Sequence, residues 1–331
     1  MVRFGIVGTN WITEAFLDAA SLVDDFSLNA VYSRTSDKAE EFAAKYGVEY
    51  TFTDLESMAG SDLIDAVYLA SPNSLHSEQA QLFLRNKKHV LCEKPIASNT
   101  CELEQMVQTA KENGVLLMEA MKSTFLPNFQ SVQENLDKIG KVRRYFANYC
   151  QYSSRYDAYK AGNIMNAFKP DFSNGALMDI GIYCIYPMVA LFGKPTRVQA
   201  AGIMLETGVD GEGSAIFTYE DMEAVVTYSK ITDSSLPSEI QGEDGNIRID
   251  RISTQEKVEI LRRDGSKEDI TREQVSNAMY YEAKEFADLI RAGKTESEKN
   301  TFENSLITMQ ILDEVRKQIG VVFPADTKEI K

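Results

Sequence analysis

The hydrophobic pattern of this chain changes its period once, near residue 122, and that switch limits the folds open to it. Before it, short apolar runs alternate with helix-patterned stretches, the mark of βαβ units and a parallel sheet. Strands are expected at Arg3–Val7, Leu28–Ser33, Val48–Phe52, Ala66–Ala70, His89–Cys92 and Val115–Glu119. Between them, Asp37–Tyr46 sets Ala39, Phe42, Ala43 and Tyr46 on one helical face behind Ser36 as N-cap. Leu75–Asn86 carries Ala80, Phe83 and Leu84, and Cys101–Asn113 stops at Gly114. After residue 122 the alternation is lost. A helix near Asn128–Lys138 ends at Gly140, Val142–Ser153 alternates like a strand, and Leu177–Phe192 reads as helical. Strands then crowd together at Thr196–Leu205, Ser214–Tyr219, Ala224–Ile231, Glu239–Gln241, Asn246–Asp250 and Lys257–Arg262, with turns such as Asp244-Gly245 between them. Helices over Ala278–Ala292 and Phe302–Ile319 follow.

This order predicts an α/β protein. A doubly wound parallel sheet occupies residues 1–122, and an α+β domain with a large, mainly antiparallel, open-faced sheet occupies 123–331. A length of 331 residues suits two cores better than one. A broad sheet with helices on one face leaves the other to be covered, and a second copy is the usual solution. A homo-oligomer is therefore expected, a dimer or a dimer of dimers.

Composition removes several functions. The net charge of −15 disfavours nucleic acid and anionic lipid surfaces, whose binding rests on cationic side chains. The sequence reads as having no apolar run of the roughly 18 residues a membrane helix needs. Its start, Met1-Val2-Arg3-Phe4-Gly5-Ile6-Val7-Gly8, lacks the basic and apolar regions of a signal peptide. Cys92, Cys101, Cys150 and Cys184 form no CxxC pair, so free thiols in a reducing cytoplasm are expected. With His76 and His89 the only histidines, no metal site is expected.

Gly8-Thr9-Asn10-Trp11-Ile12-Thr13 follows the first strand and opens a helix, the position of the G-x-G-x-x-G/A dinucleotide fingerprint. Gly8 makes the tight turn. Asn10 stands for the glycine that lets backbone approach a pyrophosphate, and asparagine tolerates a left-handed backbone. The second strand ends in Ser33-Arg34, where an NAD site would place a carboxylate on the ribose hydroxyls. A hydroxyl and a guanidinium suit a 2′-phosphate, so NADP(H) is preferred, with NAD(H) still possible. Glu93-Lys94-Pro95 lies just past a strand, with the proline fixing the local backbone through either a trans or a cis bond. In Asn174-Gly175-Ala176-Leu177-Met178-Asp179-Ile180-Gly181-Ile182-Tyr183, helical spacing puts Asp179 and Tyr183 on one face.

These segments occur in an order that resembles the glucose-fructose oxidoreductase/inositol dehydrogenase/rhizopine catabolism family, Gfo/Idh/MocA. The matching pieces are Phe4-Gly5-Ile6-Val7-Gly8-Thr9, Ala70-Ser71-Pro72-Asn73-Ser74-Leu75-His76, Glu93-Lys94-Pro95, Gly175 to Tyr183, Gly208-Val209-Asp210 and Arg316 to Pro324. The Asp-Ile-Gly-Ile-Tyr run is most similar to the branch of dimeric dihydrodiol dehydrogenase and NADP-linked xylose dehydrogenase. The resemblance implies a Rossmann domain and an oxidoreductase of a sugar, polyol or related small molecule. It makes Tyr183 the general acid/base, Lys94 the lysine beside the nicotinamide, and Asp179 a substrate-binding or relay partner. It also implies that Gly8, Thr9, Asn10, Trp11, Ile12, Ser33, Arg34, Ser71, Pro72, Asn73, His76, Glu93 and Lys94 line the cofactor, with His76 held structurally. A free tyrosine ionises near pH ~10, and a nearby ammonium favours the phenolate. Lys122 and Thr124 depart from the dihydrodiol branch, which has tryptophan and arginine there. They become substrate-pocket candidates, and the dihydrodiol substrate is not carried over. The alternative is a non-catalytic dinucleotide-sensing regulator on the same fold, which would have no need of Lys94, Asp179 and Tyr183.

Overall fold

All six strands expected before residue 122 are present in the computed structural model, which describes residues 1–327. In chain order they are β1 Val2–Val7, α1 Trp11–Ala20, β2 Phe26–Tyr32, α2 Ser36–Tyr46, β3 Tyr50–Phe52, α3 Leu55–Ala59, β4 Ala66–Leu69, α4 His76–Arg85, β5 His89–Glu93, α5 Thr100–Asn113 and β6 Leu117–Ala120. The strands pair in parallel in the order β3-β2-β1-β4-β5-β6. Every residue of β4 and β6 is buried, as a sheet covered on both faces requires. One expectation shifts by a residue: the N-cap of α2 is Thr35, while Ser36 is its first helical residue and donates its hydroxyl to Glu40 Oε1 at 2.7 Å.

The later residues build a second sheet. Its elements are α6 Pro127–Glu134, β7 Val142–Cys150, α7 Tyr156–Lys160, α8 Ile182–Phe192, β8 Arg197–Met204, β9 Asp210–Thr218, β10 Glu223–Ser229, β11 Ser238–Gly242, β12 Gly245–Ile249, β13 Val258–Arg262 and β14 Lys267–Asp269. The eight strands lie in the order β14-β13-β12-β11-β7-β10-β9-β8. All neighbours are antiparallel except β7 and β10, which run parallel at the centre. The protein is therefore α/β, with a doubly wound parallel sheet and a mainly antiparallel one. Helices α9 Met279–Arg291 and α10 Phe302–Ile319 follow.

The chain divides into two units, Met1–Met121 with Val275–Phe302 and Lys122–Gln274 with Glu303 onward. In the first, α9 packs beside α1 and covers the parallel sheet. Phe286 lies 5.8 Å from the Phe4 ring, Asn277 donates to the Ala15 carbonyl at 2.7 Å, and Arg291 pairs with Asp25. In the second, α8 packs on the inner face of the sheet, where the Tyr145 hydroxyl donates to the Cys184 carbonyl at 2.9 Å.

The reading of apolar runs needs one correction. The stretch Pro170–Phe192 is long and apolar enough to cross a membrane by composition alone, with mean hydropathy 1.6. It passes that test because it is the core helix of the second unit and the turns leading into it. Within it, 78% of the 18-residue window that passes the test is buried inside the protein.

Candidate active site

In the first unit the candidate residues gather along the carboxyl ends of the strands, where the order reverses between β1 and β4. Such an edge is the ligand-binding crevice of doubly wound sheets. Gly8 has φ +105°, and a Cβ there would sit 2.6 Å from the Ala70 carbonyl oxygen. Only glycine allows the turns after β1 and β4 to meet backbone to backbone. Asn10 behaves differently from the expectation of a left-handed residue. Its φ is −108°, ordinary extended backbone, and the positive φ belongs to Gly8. Its side chain caps α1, accepting from the N–H groups of Ile12 at 3.0 Å and Thr13 at 3.4 Å. The same amide donates to Ala70 O at 2.8 Å, and Thr13 donates its hydroxyl to Gly8 O at 2.9 Å. The turn after β1 thus keeps its shape through hydrogen bonds in place of a second glycine. Trp11 is 65% exposed beside it.

At the end of β2, Ser33 is buried, and Arg34 is exposed with no carboxylate partner among the described residues. Ser71 donates its hydroxyl to Gln79 Oε1 at 2.6 Å. His76 is fully buried, with Nδ1 2.9 Å from Pro95 O and Nε2 2.9 Å from Ser71 O. Burial holds its pKa below the usual histidine value against the pull of the two carbonyls. The ring therefore pins the loop after β4 to the loop carrying Lys94. Glu93 accepts from the Tyr68 hydroxyl at 2.5 Å and from the Lys94 N–H at 3.2 Å. Glu119 accepts from Ile96 N at 3.1 Å on the other side of the cis Lys94–Pro95 peptide. Lys94, half-buried, is thus carried on a segment fixed at both ends.

The second unit holds Asp179, Tyr183, Lys122 and Thr124. The turn Lys122–Thr124 packs against α8, the helix that carries Tyr183. Residues Leu177–Gly181, just ahead of α8, form a π-helix, so the four-residue spacing from Asp179 to Tyr183 straddles a change of pitch. A wide turn of this kind needs support. Gly175 has φ +145°, and a Cβ there would meet Asp210 Oδ1 at 2.2 Å. Asp210, buried, accepts from Leu177 N at 2.7 Å and so caps the turn from β9. Gly181 leaves room for Tyr228, whose ring a Cβ would approach to 3.1 Å. Tyr183 is 9% exposed, and Tyr149 meets it edge-on with ring centroids 5.8 Å apart.

Sequence reasoning missed two residues here. Asp210 stood inside a matching segment without a role. Lys230, just beyond β10, places its ammonium 2.6 Å from Asp179 Oδ2 and 5.0 Å from the Phe168 ring centroid. Among the described residues no group of His, Cys, Asp or Glu could hold a metal ion, and the four cysteines are free.

Residues 2–121 match the oxidoreductase family with an NAD-binding Rossmann fold, and residues 129–248 match the GFO/IDH/MocA C-terminal domain. The chain is 59% identical over 326 residues to scyllo-inositol 2-dehydrogenase (NADP(+)) of Bacillus subtilis, covering 98% of this chain and 99% of that one. It is 29% identical to trans-1,2-dihydrobenzene-1,2-diol dehydrogenase of Mus musculus, covering 99% of each. Among solved structures, a 3-ketoreductase from Actinomadura kijaniata in complex with NADP and TDP-benzene matches with a TM-score of 0.84 at 26% identity. That match covers 97% of this chain and 99% of that one.

Proposed function

The chain belongs to the Gfo/Idh/MocA oxidoreductase family, and on that premise we propose that it is an NADP(H)-linked dehydrogenase of a cyclic or linear polyol, with Tyr183 as general acid/base and Lys94 assisting. The observation that carries this reading is the likeness along nearly the whole chain to an NADP-linked scyllo-inositol dehydrogenase. The local chemistry agrees. Arg34, exposed and with no carboxylate partner among the described residues, suits a 2′-phosphate, and the glycine turn at Gly8 suits a close pyrophosphate. Ser33, Thr9, Trp11, Ser71, Pro72 and Asn73 border the same edge, while His76 and Glu93 act by holding it.

Held at this edge by the turn at Gly8 and by Arg34, a nicotinamide cofactor would supply the hydride acceptor for the carbinol carbon in oxidation and the hydride donor in reduction. Tyr183 then receives the hydroxyl proton in oxidation and donates it to the carbonyl oxygen in reduction. The Lys94 ammonium stabilises the negative charge that develops on that oxygen. Asp179 accepts a hydrogen bond from a substrate hydroxyl, and Lys122 and Thr124 border the substrate. The setting proposed is cytoplasmic, consistent with four free thiols. The unit of function proposed is a dimer, or a dimer of dimers, closed over the outer face of the eight-stranded sheet.

Turnover of scyllo-inositol and an aldose and polyol panel with NADP⁺ and NAD⁺ tests the reading. We expect oxidation of a polyol with NADP⁺ preferred. Tyr183→Phe and Lys94→Met should each lower kcat by about 10²- to 10⁴-fold, the usual worth of a positioned proton carrier. Trp11 fluorescence should change on adding NADPH to either variant, because the cofactor loop is untouched. Full activity in both variants would overturn the roles, and a Trp11 signal without any turnover would favour a sensor.

A further inference from the structure

Beneath Asp179 in the second unit lies a buried ammonium, that of Lys230, which the proposed proton transfer by Tyr183 does not use. We infer that Lys230 is a positioning residue that holds Asp179 as a fixed, ionised hydrogen-bond acceptor, so that the substrate must present a hydroxyl donor to it. This rests on the proposed function, since it specifies what the same site recognises.

The inference starts from an asymmetry. The Lys230 side chain is 4% exposed and the Asp179 side chain 33% exposed. The ammonium lies underneath and the carboxylate faces outward. Lys230 is also placed with little freedom. It continues the inward-facing positions Ala224, Val226 and Tyr228 of β10, and its N–H donates to Gly211 O at 2.9 Å. Its own carbonyl accepts from Ser153 N at 2.9 Å. Phe168, fully buried, stands 5.0 Å from the ammonium and gives it a cation–π contact. Phe168 is in turn fixed by the rings of Tyr156 and Tyr159, at 5.9 and 5.3 Å. Among the described residues, the only hydrogen-bond acceptor at Lys230 Nζ is Asp179 Oδ2, at 2.6 Å.

Stability alone does not account for such a pair. Desolvating an ammonium costs several kcal/mol, and a buried ion pair is often no more stable than apolar side chains of the same volume. Against Phe168, a methionine would fill the space of the lysine stem. What the ion pair adds is control of Asp179: the carboxylate is held as an acceptor by the ammonium beneath it, and its side chain is still 33% exposed. An ionised acceptor rewards a substrate hydroxyl that donates to it, and a substrate lacking that hydroxyl forfeits a hydrogen bond to a charged group.

The test compares scyllo-inositol with a monodeoxy analogue, using NADP⁺ and the wild-type chain, Lys230→Met, Lys230→Arg, Asp179→Asn and the Lys230→Met/Asp179→Asn double variant. The wild type should lose about 10- to 150-fold in kcat/KM on the deoxy analogue, the range of a hydrogen bond to a charged group. Lys230→Met should erase most of that discrimination, and Lys230→Arg should restore part of it. The double variant should be little worse than Asp179→Asn, because the two residues act as one. NADPH binding, read by Trp11 fluorescence, should be unchanged in all of them, which also reports a folded chain. A Lys230→Met variant that melts earlier but discriminates like the wild type would overturn the inference, as would additive losses in the double variant. A wild-type chain that oxidises no polyol would remove the proposed function itself, and this inference with it.

Discussion

Asp210 is a carboxyl whose cost to the fold can be measured. Burial, above all, pushes its pKa up to about 6, while the Leu177 N–H and the Lys230 ammonium pull it back. An aspartate in the unfolded chain ionises near ~3.9. Between those two values the folded state binds more protons than the unfolded one, so stability falls as pH rises through that window. The cost is absent below about pH 4 and fully present above about pH 6, and two units correspond to about 3 kcal/mol. Asp210→Asn keeps an oxygen for Leu177 and removes the titration. Its stability relative to the wild type should therefore improve by about 2–3 kcal/mol between about pH 4 and pH 7 in denaturant unfolding. A difference that stays flat over that range would show that Asp210 titrates normally. The residue scale is also where the sequence was least legible. Asp210 and Leu177 are 33 positions apart, and no local pattern pairs them. Lys230 did leave a trace, a lysine at an inward position of an alternating strand, but its partner Asp179 is 51 positions away.

At the scale of elements, types were readable and ends less so. Helix α10 spans Phe302–Ile319 as expected, because its period is long and unbroken. Short pieces escaped: α3, α7 and β14 have five, five and three residues, too few to show a period. The π-helix before α8 also escaped, since its support comes from Asp210 and Tyr228 on other strands. Asn10 shows how a turn keeps its shape without a signature glycine. As a missing glycine it weakens the fingerprint, yet as a cap it ties α1 to the turn after β4. Asn10→Ala removes the acceptor for Ile12 and Thr13 and the donor to Ala70. It should cost about 1–2 kcal/mol in thermal or denaturant unfolding and weaken NADPH binding at the same time. A variant with unchanged stability and unchanged cofactor affinity would mean that the cap is dispensable and the turn holds its shape without it.

For the whole molecule, the change of period near residue 122 carried the fold class, and the outer sheet face is where the proposed dimer is tested. Across the outer face of the second sheet, one row of facing residues runs Gln199, Ile216, Val225, Phe146 and Glu239 over five strands. Ile216 is 45% exposed, and Ile203, two pairs further along the same face, is 54% exposed. Three adjacent apolar side chains in the middle of a flat sheet, with polar residues at both ends, have the layout of an interface core and rim. In the proposed dimer a second copy would supply the same row in a two-fold arrangement, and each apolar residue would bury against its counterparts. A net charge of −15 opposes such pairing only at long range, where salt screens it. In light scattering the wild type should therefore run at twice 37.1 kDa, or at a higher even multiple. Ile216→Glu with Val225→Glu places two carboxylates per chain at the centre of the row. Each stays solvated in a monomer and is desolvated in a pair, so the variant should run at 37.1 kDa with its secondary structure retained. A wild type of monomer mass, or a double variant that keeps the wild-type mass, would place the interface elsewhere or remove it.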